Sequence, residues 1–272
     1  VGEDDKMRWT EEEKCSIVEL YKTHTCKEIG ELIGRTTDAV TTRLSMLGES
    51  NKGRGRRYDV DYNYFSVLNP ERAYWAGFIA ADGCLYERSF VVSFMLQRTD
   101  YQQLEKFRIA CGYSGAVRFG NTPLNGRRYD NAVLAITGVS QWFEDLNNYY
   151  SLTPKKSLTL RAPNITDDVL LKYFITGYFD GDGCLSNDGK PNWRISFRGN
   201  VDFLNFVKGC CDRWYPAETI SSVCNSDGCG KYRLSHTRSL LFIKDMLKLD
   251  TPRLDRKKDL FKKVLILSEE VH

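Results

Sequence analysis

The sequence predicts an α+β protein in which a small all-α, three-helix domain precedes a pseudo-twofold core built from two tandem αββαββα units with two β-sheets. Three observations carry this reading. Two stretches about one hundred residues apart repeat one pattern of apolar, small and acidic residues, each is followed by short alternating runs that suit strands, and residues 7–48 place helix-capping residues at helix-length intervals. A chain of 272 residues accommodates one small and one larger domain, since domains cluster near about 100–150 residues.

In chain order, Thr10 caps the first helix, with Glu13 as its capping-box partner and Ile17, Leu20 and Tyr21 as the apolar stripe. A second helix carries Ile29, Leu32 and Ile33 and ends at Gly34. Thr36-Thr37-Asp38 then opens a third, which should bury Val40, Leu44 and Leu47 and stop at Gly48. A helix, a tight Gly-containing turn and a helix led by small polar residues is the helix-turn-helix plan. Trp9-Thr10-Glu11-Glu12-Glu13 and the run from Gly34 to Leu44 resemble Myb-like or homeodomain-like modules fused to many DNA enzymes. The resemblance implies that Thr37, Asp38, Thr41, Thr42 and Ser45 face a major groove, with Arg35 and Arg43 near phosphates. Modules of this kind also bind proteins. Residues 1–48 are thus the expected first domain and 49–69 a basic, Gly-rich linker. It is either a solvated tether or a segment that lays Arg54, Arg56 and Arg57 in a minor groove.

The repeat occupies the rest, as 70–161 and 162–272. Its first copy opens Trp75-Ala76-Gly77-Phe78-Ile79-Ala80-Ala81-Asp82-Gly83-Cys84-Leu85 and its second Ile175-Thr176-Gly177-Tyr178-Phe179-Asp180-Gly181-Asp182-Gly183-Cys184-Leu185. A strand pair and an amphipathic helix follow each. Two more strands come next, expected at 115–120 and 128–137 and again at 219–225 and 230–236, and a closing helix ends each copy. Small residues Ala76, Gly77 and Ala81, and Thr176, Gly177 and Gly181, would let the two motif helices approach closely. Gly83 and Gly183 suit left-handed helix caps.

Asp82 and Asp182 then fall at helix C-termini, where the macrodipole disfavours a carboxylate by ~0.3–1 kcal/mol and a second carboxylate adds repulsion. Either local N–H groups cap them or a cation joins them. Mg²⁺ suits the second case, because it takes oxygen ligands and bridges carboxylates to phosphates.

These nonapeptides resemble the LAGLIDADG motif, and the duplicated order of elements resembles the monomeric homing endonucleases of that family over nearly all of residues 70–272. The resemblance implies a Mg²⁺-dependent nuclease with two or three divalent ions, Ca²⁺ or Mn²⁺ substituting. It further implies that Asp82 and Asp182 hold metal with help from the Ala81 and Gly181 carbonyls. Its partner would be an asymmetric double-stranded DNA of about 20 bp or more, gripped by the two sheets and cut with four-base 3′ overhangs by a monomer that needs no other protein. Basic and amide residues order the attacking water in such enzymes. The matching places here hold Lys156, Lys257 and Gln97, and the lysines either enter the active sites or meet phosphate and solvent outside them. The sixth motif position departs from its counterpart, Ala80 in one copy and Asp180 in the other, which implies a difference in local helix capping.

Alternation assigns the strand faces. Trp193, Ile195 and Phe197 read as core, leaving Asn192, Arg194, Ser196 and Arg198 for the groove. Ser93, Met95 and Gln97 take the matching places in the first copy, and Lys231, Arg233 and Ser235 near the end; Arg118, Arg127 and Arg128 join them. Each reads a base edge, touches a phosphate or stays solvated.

A formal charge of only +3 does not by itself announce a nucleic-acid binder, although the cluster at 52–57 concentrates it. Nine cysteines and no apolar signal segment point to a reducing compartment. That is the cytoplasm of a bacterial or phage-infected cell, or an organelle, and not the secretory route. No run approaches the ~20 apolar residues of a membrane span. Cys15, Cys84, Cys184 and Cys210 sit at apolar positions and read as core, and the spacing of Cys210, Cys211, Cys224, Cys229 and His236 is not that of a zinc site. A non-cutting DNA-binding regulator and an RNA-splicing maturase on the same fold remain alternatives; two retained acids at mutually repelling positions favour cutting.

Overall fold

The computed structural model describes residues 9–21, 24–47, 58–124, 127–187, 192–217, 222–226 and 229–269. It divides into two compact units, Val1–Tyr58 and Asp59–His272.

In the first unit, helices α1 (Glu11–Leu20), α2 (Cys26–Ile33) and α3 (Thr37–Met46) enclose Ile17, Tyr21, Cys26, Ile29, Val40 and Leu44. Thr10 and Thr25 each form a complete capping box, with Glu13 and Glu28, and Thr36 accepts from the Ala39 N–H. Gly34 takes the left-handed conformation (φ 67°), and a Cβ on Gly30 would stand 2.6 Å from the Arg35 carbonyl, so the turn between α2 and α3 needs both glycines. Two expected core residues differ: Leu32 is 62% exposed and Leu47 38% exposed. Three short helices enclose too little volume for them. Cys15 is likewise exposed, the buried thiol of this unit being Cys26.

The second unit starts earlier than the linker reading allows. The Asp61 N–H donates to the Cys111 carbonyl (2.8 Å), the Trp142 indole donates to the Asp61 carbonyl (2.8 Å), and the Phe65 ring lies edge-on to Trp142 at 5.3 Å. Residues 59–69 therefore belong to this unit, and Tyr64 and Phe65 are part of its core. The segment lacks helix or strand periodicity, and Tyr64 and Phe65 fill space beside the Phe107 and Trp142 rings.

The first repeat runs α4 (Pro70–Asp82), β1 (Gly83–Tyr86), β2 (Val91–Gln97), α5 (Tyr101–Ala110), β3 (Arg118–Leu124), β4 (Arg127–Ile136) and α6 (Ser140–Tyr150), followed by the short α7 (Lys156–Thr159). The second runs α8 (Asp168–Asp182), β5 (Gly183–Asn187), β6 (Trp193–Gly199), α9 (Val201–Trp214), β7 (Cys224–Ser226), β8 (Cys229–Arg233) and α10 (His236–Lys248), followed by α11 (Asp255–Glu269). The order αββαββα holds in both. Each forms an antiparallel four-stranded sheet, β1-β2-β4-β3 and β5-β6-β8-β7. Strand β3 begins three residues later than the alternation places it, and of the strand expected at 219–225 the residues 219–221 lie outside the described ones.

The motif helices α4 and α8 bind the halves together. A Cβ on Gly77 would lie 1.9 Å from the Phe174 carbonyl oxygen, and one on Gly177 would lie 1.9 Å from that of Tyr74. Glycine at both crossings is thus a steric requirement, and it outweighs the helix propensity sacrificed there. On the helix side of the first sheet, Val92, Phe94, Leu134 and Ile136 are buried, and Phe94 meets the Phe107 ring of α5 at 5.3 Å. In the second sheet Ile195, Phe197 and Tyr232 take those places. No helix among the described residues is long and apolar enough to cross a membrane.

Candidate active site

Helices α4 and α8 end side by side, each on an aspartate. A Cβ on Gly181 would stand 2.3 Å from the Ala81 Cβ and 3.2 Å from the Asp82 carboxyl carbon, so the small seventh residue lets the two ends meet. The helix-ending glycines do so without a left-handed turn: Gly83 (φ −76°, ψ 151°) and Gly183 (φ −80°, ψ 150°) are extended and lead straight into strands. The left-handed caps expected at Gly83 and Gly183 are therefore not formed. What requires glycine is clearance, since a Cβ would stand 2.8 Å from the Ile79 carbonyl at Gly83 and 2.1 Å from the Phe179 ring at Gly183.

Asp82 is partly buried and Asp182 is more exposed, and among the described residues neither carboxylate accepts a hydrogen bond from the protein. That removes the reading in which local N–H groups cap them. Burial, and then the neighbouring charge of Asp182, pushes the Asp82 carboxyl from 3.8 up to about 6. Burial also raises Asp182. Two adjacent carboxylates with no protein donor on their oxygens are a ligand set that fits a hard divalent cation.

The aligned lysines do reach this place. Lys156 Nζ donates to the carbonyls of Ala80 (2.7 Å) and Ala81 (2.6 Å). Lys257 Nζ donates to those of Phe179 (2.7 Å), Gly181 (3.1 Å) and Gly183 (2.8 Å). Each ammonium sits among carbonyls at a helix C-terminus, where the macrodipole favours a cation. Both are buried, and desolvation lowers Lys156 and brings Lys257 down to about 8. Their hydrogen bonds go to backbone carbonyls, including those of Ala81 and Gly181. One lone pair of each of those oxygens remains.

A recess of about 480 Å³ adjoins Asp182, lined by Ala81, Lys156, Tyr178, Arg198, Asn200 and Cys229 among others. Gln97 does not line it. It stands three residues along β2 from the Phe94 that pairs with Gly83, about 10 Å away along the strand, beside a separate recess of about 850 Å³ with Tyr101, Phe119 and Tyr129. Its counterpart Asn200 does line the recess, but its side chain is engaged in capping α9.

Sequence reasoning missed a network behind the carboxylates. Asp180, expected only to alter local capping, is fully buried and forms a two-pronged ion pair with Arg253 (2.9 Å for each prong), while accepting from the Tyr74 hydroxyl (2.8 Å) and the Leu254 N–H (3.0 Å). An Asp replacing Ala inside an apolar helix was the available signal; its partner lies too far along the chain to be read from spacing.

Register settles the open faces of the sheets. In the first, Ser93, Met95 and Gln97 stand opposite Ala135, Val133 and Asn131, and Arg118 opposite Val133, so they share one face with Thr122 and Tyr129. Arg128 does not join them. It pairs with Pro123 and lies on the opposite face, with Ala132 and Leu134. In the second sheet, Arg194, Ser196 and Arg198 share a face with Arg233 and Lys231, while Asn192 precedes the strand. Ser196 is covered by its neighbours at 6% exposure, and Ser235 lies past the end of β8 at the N-cap of α10, off the sheet. Cys84 and Cys184 pair with Ser93 and Ser196 on these open faces and are exposed, whereas Cys210 is buried as expected. Among the described residues no three His, Cys, Asp or Glu gather as a metal site.

On the three-helix unit, Thr37, Asp38, Thr41, Thr42 and Ser45 are exposed on α3. Arg35 is otherwise engaged: its guanidinium binds both Glu13 oxygens at 3.0 Å and lies over the Trp9 ring. The Arg43 guanidinium also lies over that ring, 5.4 Å from its centroid. Arg35 thus braces the fold, whereas Arg43 packs on the ring without an ion pair among the described residues. Arg54, Arg56, Arg57 and Gly48 lie outside the described residues, as does the side chain of Arg127.

No protein-family model matches the sequence, and no curated protein matches it. Solved structures do resemble the fold. The homing endonuclease I-WcaI bound to its DNA recognition sequence is similar at a TM-score of 0.50 and 10% identity, over 74% of this chain and 90% of that one. The LAGLIDADG meganuclease I-AabMI bound to uncleaved DNA gives 0.48 and 12%, over 75% and 91%. Full-length DUF199/WhiA from Thermatoga maritima gives 0.47 and 14%, over 76% and 65%. At these identities the likeness is one of fold.

Proposed function

We propose that this chain is a divalent-metal-dependent, site-specific DNA endonuclease of the LAGLIDADG kind, cutting both strands of a long asymmetric duplex. The observation that carries it is the pair of unpartnered carboxylates, Asp82 and Asp182, at two adjoining helix ends that lysines cap. A protein that only binds DNA has no use for two raised, unsatisfied acids at one point.

Asp82 and Asp182, with the free lone pairs of the Ala81 and Gly181 carbonyls, would hold Mg²⁺, which when bound supplies charge stabilisation at a scissile phosphate. Lys156 and Lys257 fix the direction of those carbonyls and keep the local charge near neutrality, so that an anionic backbone is admitted. Arg194, Arg198, Lys231 and Arg233 make the second sheet's open face strongly basic, whereas the first offers Arg118 among Ser93, Met95, Gln97 and Thr122. Unlike faces read unlike half-sites, so the target is asymmetric, and the cut, reaching one phosphate on each strand across a minor groove, leaves 3′ overhangs. In the three-helix unit, α3 presents Thr37, Asp38, Thr41 and Thr42 to a neighbouring major groove.

A randomised duplex library incubated with the protein and Mg²⁺, followed by sequencing of the cut ends, tests this. Staggered 3′-overhanging ends at one non-palindromic sequence are expected. Enrichment of bound DNA with no cleavage in Mg²⁺ or Mn²⁺ would overturn the nuclease reading.

A further inference from the structure

The segment between α10 and α11, with the first turn of α11, brings Lys257 to the end of the second motif helix, and its attachments are out of proportion to its length. Arg253 and the Leu254 N–H both bind Asp180 of α8, whose carboxylate is wholly buried and also takes the Tyr74 hydroxyl of α4. Gln103 of α5 donates to that same hydroxyl and to the Pro252 carbonyl, both at 2.8 Å. Lys106 of α5 donates to the Arg253 carbonyl and to Asp255, both at 2.8 Å, and Arg256 pairs with Asp100 at 2.9 Å. Thus the strap that serves the second repeat is anchored largely by the first.

A buried ion pair is a poor device for stability, because apolar residues of similar volume commonly do as well. What this one supplies is placement: it sets the strap four residues upstream of Lys257, whose ammonium must meet three carbonyls at once. The first motif has Ala80 where the second has Asp180, so the corresponding strap before Lys156 has no such anchor. We propose that Asp180 is a positioning residue that acts through Arg253 and Leu254 to seat Lys257, so that the two catalytic halves are held by different means and respond differently to its loss. The inference rests on the nuclease reading only for its effect on cleavage.

Removing Asp180 alone would strand a charged Arg253 in the core, so the test uses Asp180→Asn together with Arg253→Met, with Lys257→Met as reference and thermal melting to show that each variant folds. The first readout needs no DNA. In the metal-free protein, acetylation by an N-hydroxysuccinimide ester, followed residue by residue by mass spectrometry, should rise at least tenfold at Lys257 in the double variant and stay within twofold at Lys156. Continued protection of Lys257, or an equal rise at both lysines, would overturn the proposal. The second readout uses a duplex labelled on each strand. The double variant should slow the strand that Lys257→Met slows, by about tenfold, and leave the other within about twofold; equal slowing of both strands would show a merely structural role. If the parent cleaves no DNA, the functional reading fails while the labelling result still decides the positioning claim.

Discussion

Replacing Asp82 by Asn should make the metal-free protein more stable while abolishing double-strand cleavage. The Asp82 carboxyl is pushed from 3.8 up to about 6, chiefly by burial and then by Asp182. At about 1.4 kcal/mol for each tenfold change in proton affinity, this is about 3 kcal/mol held against the folded state once the group is ionised. Solvent at this partly exposed position trims the figure to about 2 kcal/mol. Asparagine copies the neutral acid and removes that cost. The pH dependence follows from the direction of the shift. Because the folded-state value lies above the unfolded one, the folded protein holds more protons between about pH 4 and 6, and its stability falls as pH rises through that window. Parent and variant should therefore coincide below about pH 4 and separate by about 2 kcal/mol above pH 6. Urea unfolding in chelator at pH 4, 5, 6 and 8 measures this, and added Mg²⁺ should raise the parent's stability but not the variant's. A variant no more stable than the parent at pH 8, or a gap indifferent to pH, would refute the reasoning.

Gly177→Ala should destabilise the second unit by more than about 3 kcal/mol, beyond ordinary overpacking, because its Cβ would meet the Tyr74 carbonyl at 1.9 Å. Gly209→Ala, in α9 with open space around it, should instead stabilise by up to ~1 kcal/mol, and denaturant midpoints of the two compare steric need with helix propensity directly. Deleting residues 1–58 should weaken DNA binding and flatten its salt dependence by about one log–log unit for each phosphate no longer neutralised, with the cut positions unmoved. Titrations at several salt concentrations check it, and an unchanged slope would show that the three-helix unit binds something else.

What can be read in the sequence is what is local or periodic. The capping box at Thr10, the repeated order of elements and the small residues of the motif helices declare themselves within a few positions. Arg127 and Arg128 cannot both face the groove, because consecutive strand residues point to opposite sides, and only the register with β3 tells that Arg128 takes the far one. Residues 59–69 look like linker because Tyr64 and Phe65 fill a gap instead of following a period. Asp180 and Arg253 stand far apart in the chain, and only the fold makes them partners. The same holds for the carbonyl targets of Lys156 and Lys257, which exist only once the helices end side by side.

Those targets also explain how the centre stays ready for a cation. Two acids and two lysines meet at one point, and the simplest outcome would be two salt bridges, each lysine bound to a carboxylate. The lysines bind backbone carbonyls instead, at 2.6–3.1 Å. Their charge still moderates the repulsion between the acids, lowering Asp82 and Asp182 against the larger effect of burial. Their hydrogen bonds, however, leave the carboxylate oxygens unoccupied. Had Asp82 and Asp182 been bridged by lysine, a divalent ion would have to displace an ion pair before it could bind. Because they are not, the protein bears a standing electrostatic cost that binding of a divalent ion would relieve, so that on the proposed reading affinity for Mg²⁺ and instability without it would have one origin.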